Sequence, residues 1–217
     1  MTNVRDLATF RRFIAIVASR HGQVLNKTDL AAPLGVSVPT ITQWLGVLET
    51  TAQILIVPPY HENFGKRLIR SPKIYLADSG LACHLLDIDS DAQLTRSPFA
   101  GSVFEGLIAS EIVKAQVNAG GRRAIYHFRD EQGLEVDFVI PGPGGSLMLI
   151  ECKAGRTVTP AMAAPMQRLR DAVTKTRRRA TAVQMRLVHQ TPKERHPTSA
   201  VAPGVRALPW RDFIQEL

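Results

Sequence analysis

The stretch EVDFVIPGPGGSLMLIECKAG, residues 135–155, decides the fold of the C-terminal part of this chain. Two apolar runs flank a Pro/Gly turn, which predicts two paired strands. Charged residues nevertheless interrupt both runs: Asp137 in the first, and Glu151 and Lys153 in the second. Because residues two apart in a strand share a face, Glu151 and Lys153 point the same way. Pairing across the turn brings Asp137 beside Glu151.

Two neighbouring carboxylates at the end of a core strand are costly, because they repel each other and lose water. A divalent cation removes that cost, and hard oxygen ligands suit Mg²⁺ or Mn²⁺. Lys153 beside such an ion can orient an attacking water or stabilise charge on a phosphate. A structural lysine–carboxylate pair is the alternative. It explains one acid and one base, but not the second acid from the adjacent strand.

Further helices and strands are predicted before and after this hairpin in the sequence. Residues 102–118 repeat apolar positions at helical spacing, and Glu105 lies near the start of that helix, where the helix dipole favours an acid. The remaining expected elements are strands at 124–130 and 182–189, a helix from Pro160 to about Lys175, a loop at 191–204, and a short final strand and helix.

The spacing D-x13-E-x-K, preceded by a helical glutamate, resembles the PD-(D/E)XK nuclease superfamily. The resemblance implies that Asp137 and Glu151 bind Mg²⁺ or Mn²⁺ and that Lys153 assists catalysis. It also implies that Glu105 completes the site as a metal ligand or catalytic group. Gln167, on the helix after E-x-K, would face the site or the phosphate.

The N-terminal third predicts a helix-turn-helix. A helix over residues 6–20 is followed by a short helix at about 27–34, a turn at Gly35-Val36, and a helix from Pro39 to about Glu49. The last of these is the candidate recognition helix, and three of its polar side chains can reach base edges. They are Thr40, Thr42 and Gln43.

Strands at 52–60 and 67–78 follow and would form the wing of a winged helix. Basic residues of this hairpin are candidates for contact with DNA phosphates. The alternatives are a winged helix that docks a protein, and a hinge between larger modules. The basic candidates are Lys66, Arg67, Arg70 and Lys73.

A wider resemblance covers nearly the whole chain. The series PPYHENFGKRLIRSPKIYLADSGLACHLL, GSVFEGLIASEIVK, HFRDEQGLEVDFVI and LIECKAG is similar to the C-terminal half of a bacterial and archaeal family of AAA-type ATPases. That half carries a winged helix and a nuclease-like domain. This chain has no G-x-x-x-x-G-K-[ST], so no nucleotide site is expected.

These patterns predict an α/β (α+β) chain: a winged helix-turn-helix over 1–88, a linker over 89–101, and a restriction-endonuclease-like mixed-sheet domain over 102–217. The 217 residues carry a formal charge of +8, which makes an anionic partner such as DNA plausible. No apolar run or N-terminal segment indicates a membrane span or a signal peptide, so a cytoplasmic location is expected. The two cysteines, Cys83 and Cys152, are expected to be reduced.

Three functions stay open on the sequence alone. The first is a DNA-binding protein that hydrolyses phosphodiester bonds with a metal ion. The second is a non-catalytic module that binds DNA or protein or that makes a homo-oligomer. The third is a transcriptional regulator that binds DNA through its winged helix.

Overall fold

The computed structural model describes residues 6–61, 69–155, 157–176, 182–191 and 199–217. The chain divides into two compact units, and each unit is formed by two separate stretches of sequence. The N-terminal unit comprises Met1–Val57 and Ser71–Ser110, and the C-terminal unit comprises Pro58–Arg70 and Glu111–Leu217. The expected mixture of helices and a mixed sheet is confirmed.

The N-terminal unit alternates helices with three short antiparallel strands. Its strand order is β1-β3-β2, so the middle strand is the last in sequence. The expected helices at 6–20 and 39–49 are present. The elements are α1 (Leu7–Ser19), β1 (Gln23–Val24), α2 (Lys27–Ala31), α3 (Val38–Thr50), β2 (Ile54–Val57), β3 (Lys73–Leu76), α4 (Ser79–Leu85) and α5 (Asp91–Arg96).

Side-chain caps explain where these helices begin. The Ser37 side chain accepts the Thr40 N–H at the start of α3, and Pro39 lies in the first turn, where a missing N–H costs nothing. Asp78 accepts the Leu81 N–H and so caps α4.

Aromatic rings fasten α1 to α3. Phe10 and Phe13 of α1 both contact the Trp44 ring, with centroid distances of 5.4 and 5.2 Å. Fully buried Ile41 and Leu45 extend this contact along α3. Because the buried residues of α3 share one side of the helix, its polar residues lie on the opposite side, as helical spacing predicts.

The strands of the expected wing are shorter than predicted. β2 ends at Val57 because Pro58 and Pro59 follow, and proline cannot donate to a strand ladder. The backbone then pairs with the residues at 127–129 instead: Tyr60 N–H donates to the His127 carbonyl at 2.7 Å, and Ile69 N–H donates to the Arg129 carbonyl at 3.1 Å. The described ends of the expected wing therefore belong to the C-terminal unit.

Residues 89–101, expected to be a linker, contain α5 and the first residues of the next helix, α6 (Ala100–Asn118). Helix α6 starts in the N-terminal unit, and from Glu111 onward it belongs to the C-terminal unit. The expected helix at 102–118 is confirmed.

The C-terminal unit contains a six-stranded mixed sheet of order β4-β5-β6-β7-β9-β8. The β6–β7 and β7–β9 pairs are parallel and the others antiparallel. Its elements after α6 are β4 (Tyr126–Arg129), β5 (Glu135–Pro141), β6 (Leu147–Lys153), α7 (Ala164–Thr176), β7 (Val183–His189), β8 (Ser199–Ala202), β9 (Val205–Pro209) and α8 (Trp210–Gln215).

Strand β8 was not expected, since residues 191–204 were predicted to be a loop. It has four residues and no alternation of apolar and polar side chains, so only its pairing with β9 reveals it. Helix α7 covers one face of the sheet: its buried Met166 and Leu169 pack with Leu149 and Leu187. None of the helices in the described ranges is long and apolar enough to cross a membrane.

Candidate functional site

The candidate site lies where β5 and β6 pair. Phe138 is opposite Ile150 and Val139 is opposite Leu149 in this antiparallel pair. The ladder of backbone partners ends at Phe138 and Ile150, and Asp137 and Glu151 are the next residues of the two strands. Asp137 and Glu151 therefore lie at the same end of the β5–β6 pair.

An irregularity in β5 occurs at the same point. Two steps along β4, from Tyr126 to Phe128, correspond to three steps along β5, from Val139 to Val136. The extra residue of β5 therefore falls at Asp137 or Phe138. A bulge of this kind redirects a side chain, and bulges are frequent next to active sites.

Hydrogen bonds fix all three charged side chains. Asp137 Oδ2 accepts the Cys152 N–H at 2.8 Å, which holds this carboxylate over the backbone of β6 between Glu151 and Lys153. Lys153 Nζ donates to Glu151 Oε1 at 2.7 Å. Glu151 is buried and Asp137 half-buried, whereas the Lys153 side chain is 32% exposed. Solvent therefore reaches the Lys153 side chain, although Glu151 beside it is buried.

The charge of Lys153 depends on both acids. Burial by itself would lower the pKa of Lys153, but the Glu151 charge, its hydrogen bond and the Asp137 charge together raise it above the usual value. Lys153 is therefore protonated at neutral pH. In that state it can neutralise or donate to an anion, but it cannot act as a general base.

The donor set suits a hard divalent cation that keeps part of its water shell. The two carboxylates and the one ammonium together carry a net charge of minus one. Mg²⁺ is commonly held by one or two carboxylates, with water and substrate phosphate oxygens completing its coordination. Within the described ranges, no three His, Cys, Asp or Glu side chains group closely enough to hold a metal by themselves. Asp137 and Glu151 are thus the side chains that would hold the ion.

Glu105, the third acid implied by the nuclease resemblance, has its described partners in the N-terminal unit. Lys73 Nζ donates to Glu105 Oε1 at 2.8 Å, and the Tyr75 hydroxyl donates to the same oxygen. Lys73 is only 3% exposed and Tyr75 is fully buried. The expectation that Lys73 touches a DNA phosphate is wrong, because its ammonium is buried against this carboxylate.

A buried histidine lies beside this second cluster, and the sequence analysis did not single it out. His21 Nδ1 accepts the Leu76 N–H at 3.0 Å, so the proton of the neutral ring is on Nε2. A methyl group on Gly106 would come within 2.3 Å of His21 Nε2, so only glycine fits there. Burial lowers the pKa of His21 to about 4, although the Ser102 backbone opposes this shift.

The other predicted catalytic residue, Gln167, is half-buried on α7. Its side-chain amide donates to the Pro203 carbonyl at 3.3 Å, in the connection between β8 and β9. This hydrogen bond joins α7 to the edge of the sheet, so Gln167 has a structural contact.

The predicted DNA-reading side chains are on α3. Thr42 and Gln43 are exposed, while Thr40 is half-buried and its hydroxyl bonds that of Ser37. The sequence of α3 contains no lysine, arginine or histidine, so the helix itself offers no cation to a phosphate. Arg70 is exposed, and Lys66 and Arg67 lie outside the described residues.

Comparison with known proteins adds two family matches. Residues 100–206 match the family described as Domain of unknown function (DUF4143). Residues 1–92 match Domain of unknown function (DUF8612). The gap between the two matches falls within the stretch expected to be a linker.

Two curated mycobacterial proteins are similar to this chain. They are the uncharacterized protein Rv2008c of Mycobacterium tuberculosis and the uncharacterized protein Mb2031c of Mycobacterium bovis. Each is 32% identical over 160 residues, which is 74% of this chain and 35% of the relative. The aligned region thus spans about a third of these relatives. No solved structure matches the chain.

Proposed function

We propose that this chain acts on DNA and that its C-terminal unit hydrolyses phosphodiester bonds with Mg²⁺ or Mn²⁺. One observation carries the proposal: Asp137 of β5 accepts the N–H of Cys152, the residue between Glu151 and Lys153, so a second acid lies beside this ion pair. A purely structural ion pair needs only one acid. The DUF4143 match and the resemblance to the nuclease-like part of AAA-type ATPases support the same assignment.

The residues have separate roles in this proposal. Asp137 and Glu151 would hold the metal ion, which when bound polarises a phosphate oxygen and lowers the pKa of water. The Lys153 ammonium, which reaches solvent, would bind a non-bridging phosphate oxygen and stabilise the charge that develops on it. Glu105 receives no role here, because Lys73 and Tyr75 already engage its carboxylate.

For the N-terminal unit we propose a docking role as a winged helix. The order helix-strand-helix-helix-strand-strand and the sheet order β1-β3-β2 support this assignment. Thr42 and Gln43 could contact base edges, with Arg70 on the phosphate backbone. The absence of basic residues on α3 favours a second candidate, in which the same surface docks a protein.

A cleavage assay tests the hydrolytic proposal. Wild type, Lys153→Met and Asp137→Asn are incubated with supercoiled, linear and single-stranded DNA, with Mg²⁺, Mn²⁺ or EDTA. We expect metal-dependent cutting that falls by about 10²- to 10³-fold in each variant, because each loses a group that stabilises the transition state. Asp171→Asn, an exposed acid paired with Arg170, is the matched control and should cut like wild type.

Two results would separate the alternatives. Cutting that survives in Lys153→Met and Asp137→Asn would come from another site or a contaminant, and would end the hydrolytic proposal. DNA binding without cutting under every metal condition would favour the non-catalytic module. Loss of DNA binding in Gln43→Ala would then assign the contact to α3.

A further inference from the structure

Two arginines lie side by side on the sheet of the C-terminal unit. Arg186 of β7 and Arg206 of β9 are register partners in a parallel pair. Their neighbours Leu187 and Ala207 are in the core beneath α7, so the arginines point to the opposite face of the sheet. The Arg186 side chain is 13% exposed, and that of Arg206 is nearly half exposed.

An anion would relieve the repulsion between these like charges. Two positive side chains on adjacent strands repel each other, and the burial of one increases the cost. Burial and the Arg206 charge both lower the pKa of the Arg186 guanidinium, and the Glu216 charge opposes that shift. Arg186 also donates to Gln184 Oε1 at 2.9 Å, which orients its guanidinium.

The Glu216 carboxylate supplies the anion. Its Oε1 and Oε2 lie 2.9 and 3.4 Å from the two terminal nitrogens of Arg206, and Oε2 lies 3.7 Å from Arg186 Nε. Glu216 is at the C-terminal end of α8, where the helix dipole disfavours a carboxylate. Its position therefore depends on the arginines and not on the helix, and its side chain is 38% exposed.

We propose that Arg186 and Arg206 form a binding site for a phosphate group of a nucleic-acid backbone, and that Glu216 occupies this site until the phosphate displaces it. The planar guanidinium that binds a carboxylate with two nitrogens binds a phosphate in the same way. One carboxylate leaves one positive charge of the pair unbalanced, which a phosphate in addition to or in place of Glu216 would offset. The site uses neither Asp137 nor Glu151, so it is independent of the proposed hydrolysis.

The test measures oligonucleotide binding in EDTA, where no metal-dependent site contributes. The probe is a fluorescein-labelled single-stranded oligothymidylate without terminal phosphates, titrated at several salt concentrations. Glu216→Gln removes the competing charge and should bind several-fold more tightly than wild type. Arg206→Gln should bind more weakly, and its log–log salt slope should be shallower by about 0.7, the value for one lost phosphate contact.

Arg122→Gln is the matched control, because Arg122 is an exposed arginine of the same unit. It should bind like wild type, and thermal unfolding checks that each variant is folded. Equal effects of Arg206→Gln and Arg122→Gln, or no gain in Glu216→Gln, would overturn the proposal. Inorganic phosphate is the second probe: if it binds through Arg206 while oligonucleotide binding is unchanged in Arg206→Gln and Glu216→Gln, the nucleic-acid proposal is overturned and the arginine pair is a site for free phosphate.

Discussion

Each unit of the chain contains a glutamate held by a lysine at nearly the same distance. In the N-terminal unit Lys73 Nζ lies 2.8 Å from Glu105, and in the C-terminal unit Lys153 Nζ lies 2.7 Å from Glu151. The surroundings differ. Tyr75 gives Glu105 a second donor, whereas Asp137 adds a second acid beside Glu151.

The difference in charge balance separates a structural pair from a candidate site. One acid with two donors is satisfied, and burial of Lys73 then leaves no unbalanced charge. Asp137, Glu151 and Lys153 together carry a net charge of minus one, and we infer that a cation from solvent approaches them along the partly exposed Lys153. We infer that the third residue, Tyr75 in one cluster and Asp137 in the other, decides whether a lysine–glutamate pair is structural or part of a candidate site.

The largest expected difference in stability is between the two lysines. Lys73→Met should lower the free energy of unfolding by about 3–5 kcal/mol, because it leaves a largely buried carboxylate without its counter-ion. Lys153→Met should lower it by less, about 1–3 kcal/mol, because the buried Glu151 also loses its counter-ion but Lys153 itself is partly exposed to water. Denaturant titration measures both, and equal losses would remove the distinction between the clusters.

The buried histidine beside Glu105 makes a prediction about pH. The pKa of His21 is lowered to about 4 in the fold from its ordinary 6.5, so the unfolded chain binds the proton first. Stability is fully present above pH 6.5 and falls as the pH drops towards 4, by about 3 kcal/mol in total at about 1.4 kcal/mol per pH unit.

His21→Asn is the matched variant, because the asparagine oxygen can still accept the Leu76 N–H. The pH dependence of its unfolding should be flatter than that of wild type between pH 6.5 and 4. Identical slopes in the two proteins would mean that His21 is protonated in the folded state or that its burial is incomplete.

Neutralising one acid in each cluster should have opposite effects. Glu105→Gln should destabilise the fold by about 1–3 kcal/mol, because Lys73 loses a charge-assisted hydrogen bond. Asp137→Asn in EDTA should leave stability unchanged or raise it by less than about 1 kcal/mol, because it relieves the repulsion with Glu151. A large loss of stability in Asp137→Asn would show that the second acid is structural.

The sequence predicted most helices and strands, because their apolar residues recur at regular spacing and capping residues mark their starts. It also predicted the hairpin of β5 and β6 that carries Asp137, Glu151 and Lys153, which needs only a strand period and a turn. It did not predict the pairing of Tyr60 with His127, β8, or the contact of Lys73 with Glu105. The first and the third depend on residues far apart in the chain, whereas β8 pairs with the adjacent β9 and was missed because its four residues show no alternation of apolar and polar side chains.

In our proposal Asp137 and Glu151 hold a divalent cation and Glu105 does not. Titration calorimetry with Mn²⁺ on wild type, Asp137→Asn and Glu105→Gln tests this assignment without any substrate. We expect a site in wild type that is lost in Asp137→Asn and kept in folded Glu105→Gln. Undiminished Mn²⁺ binding in Asp137→Asn, or no binding by the wild type, would contradict it.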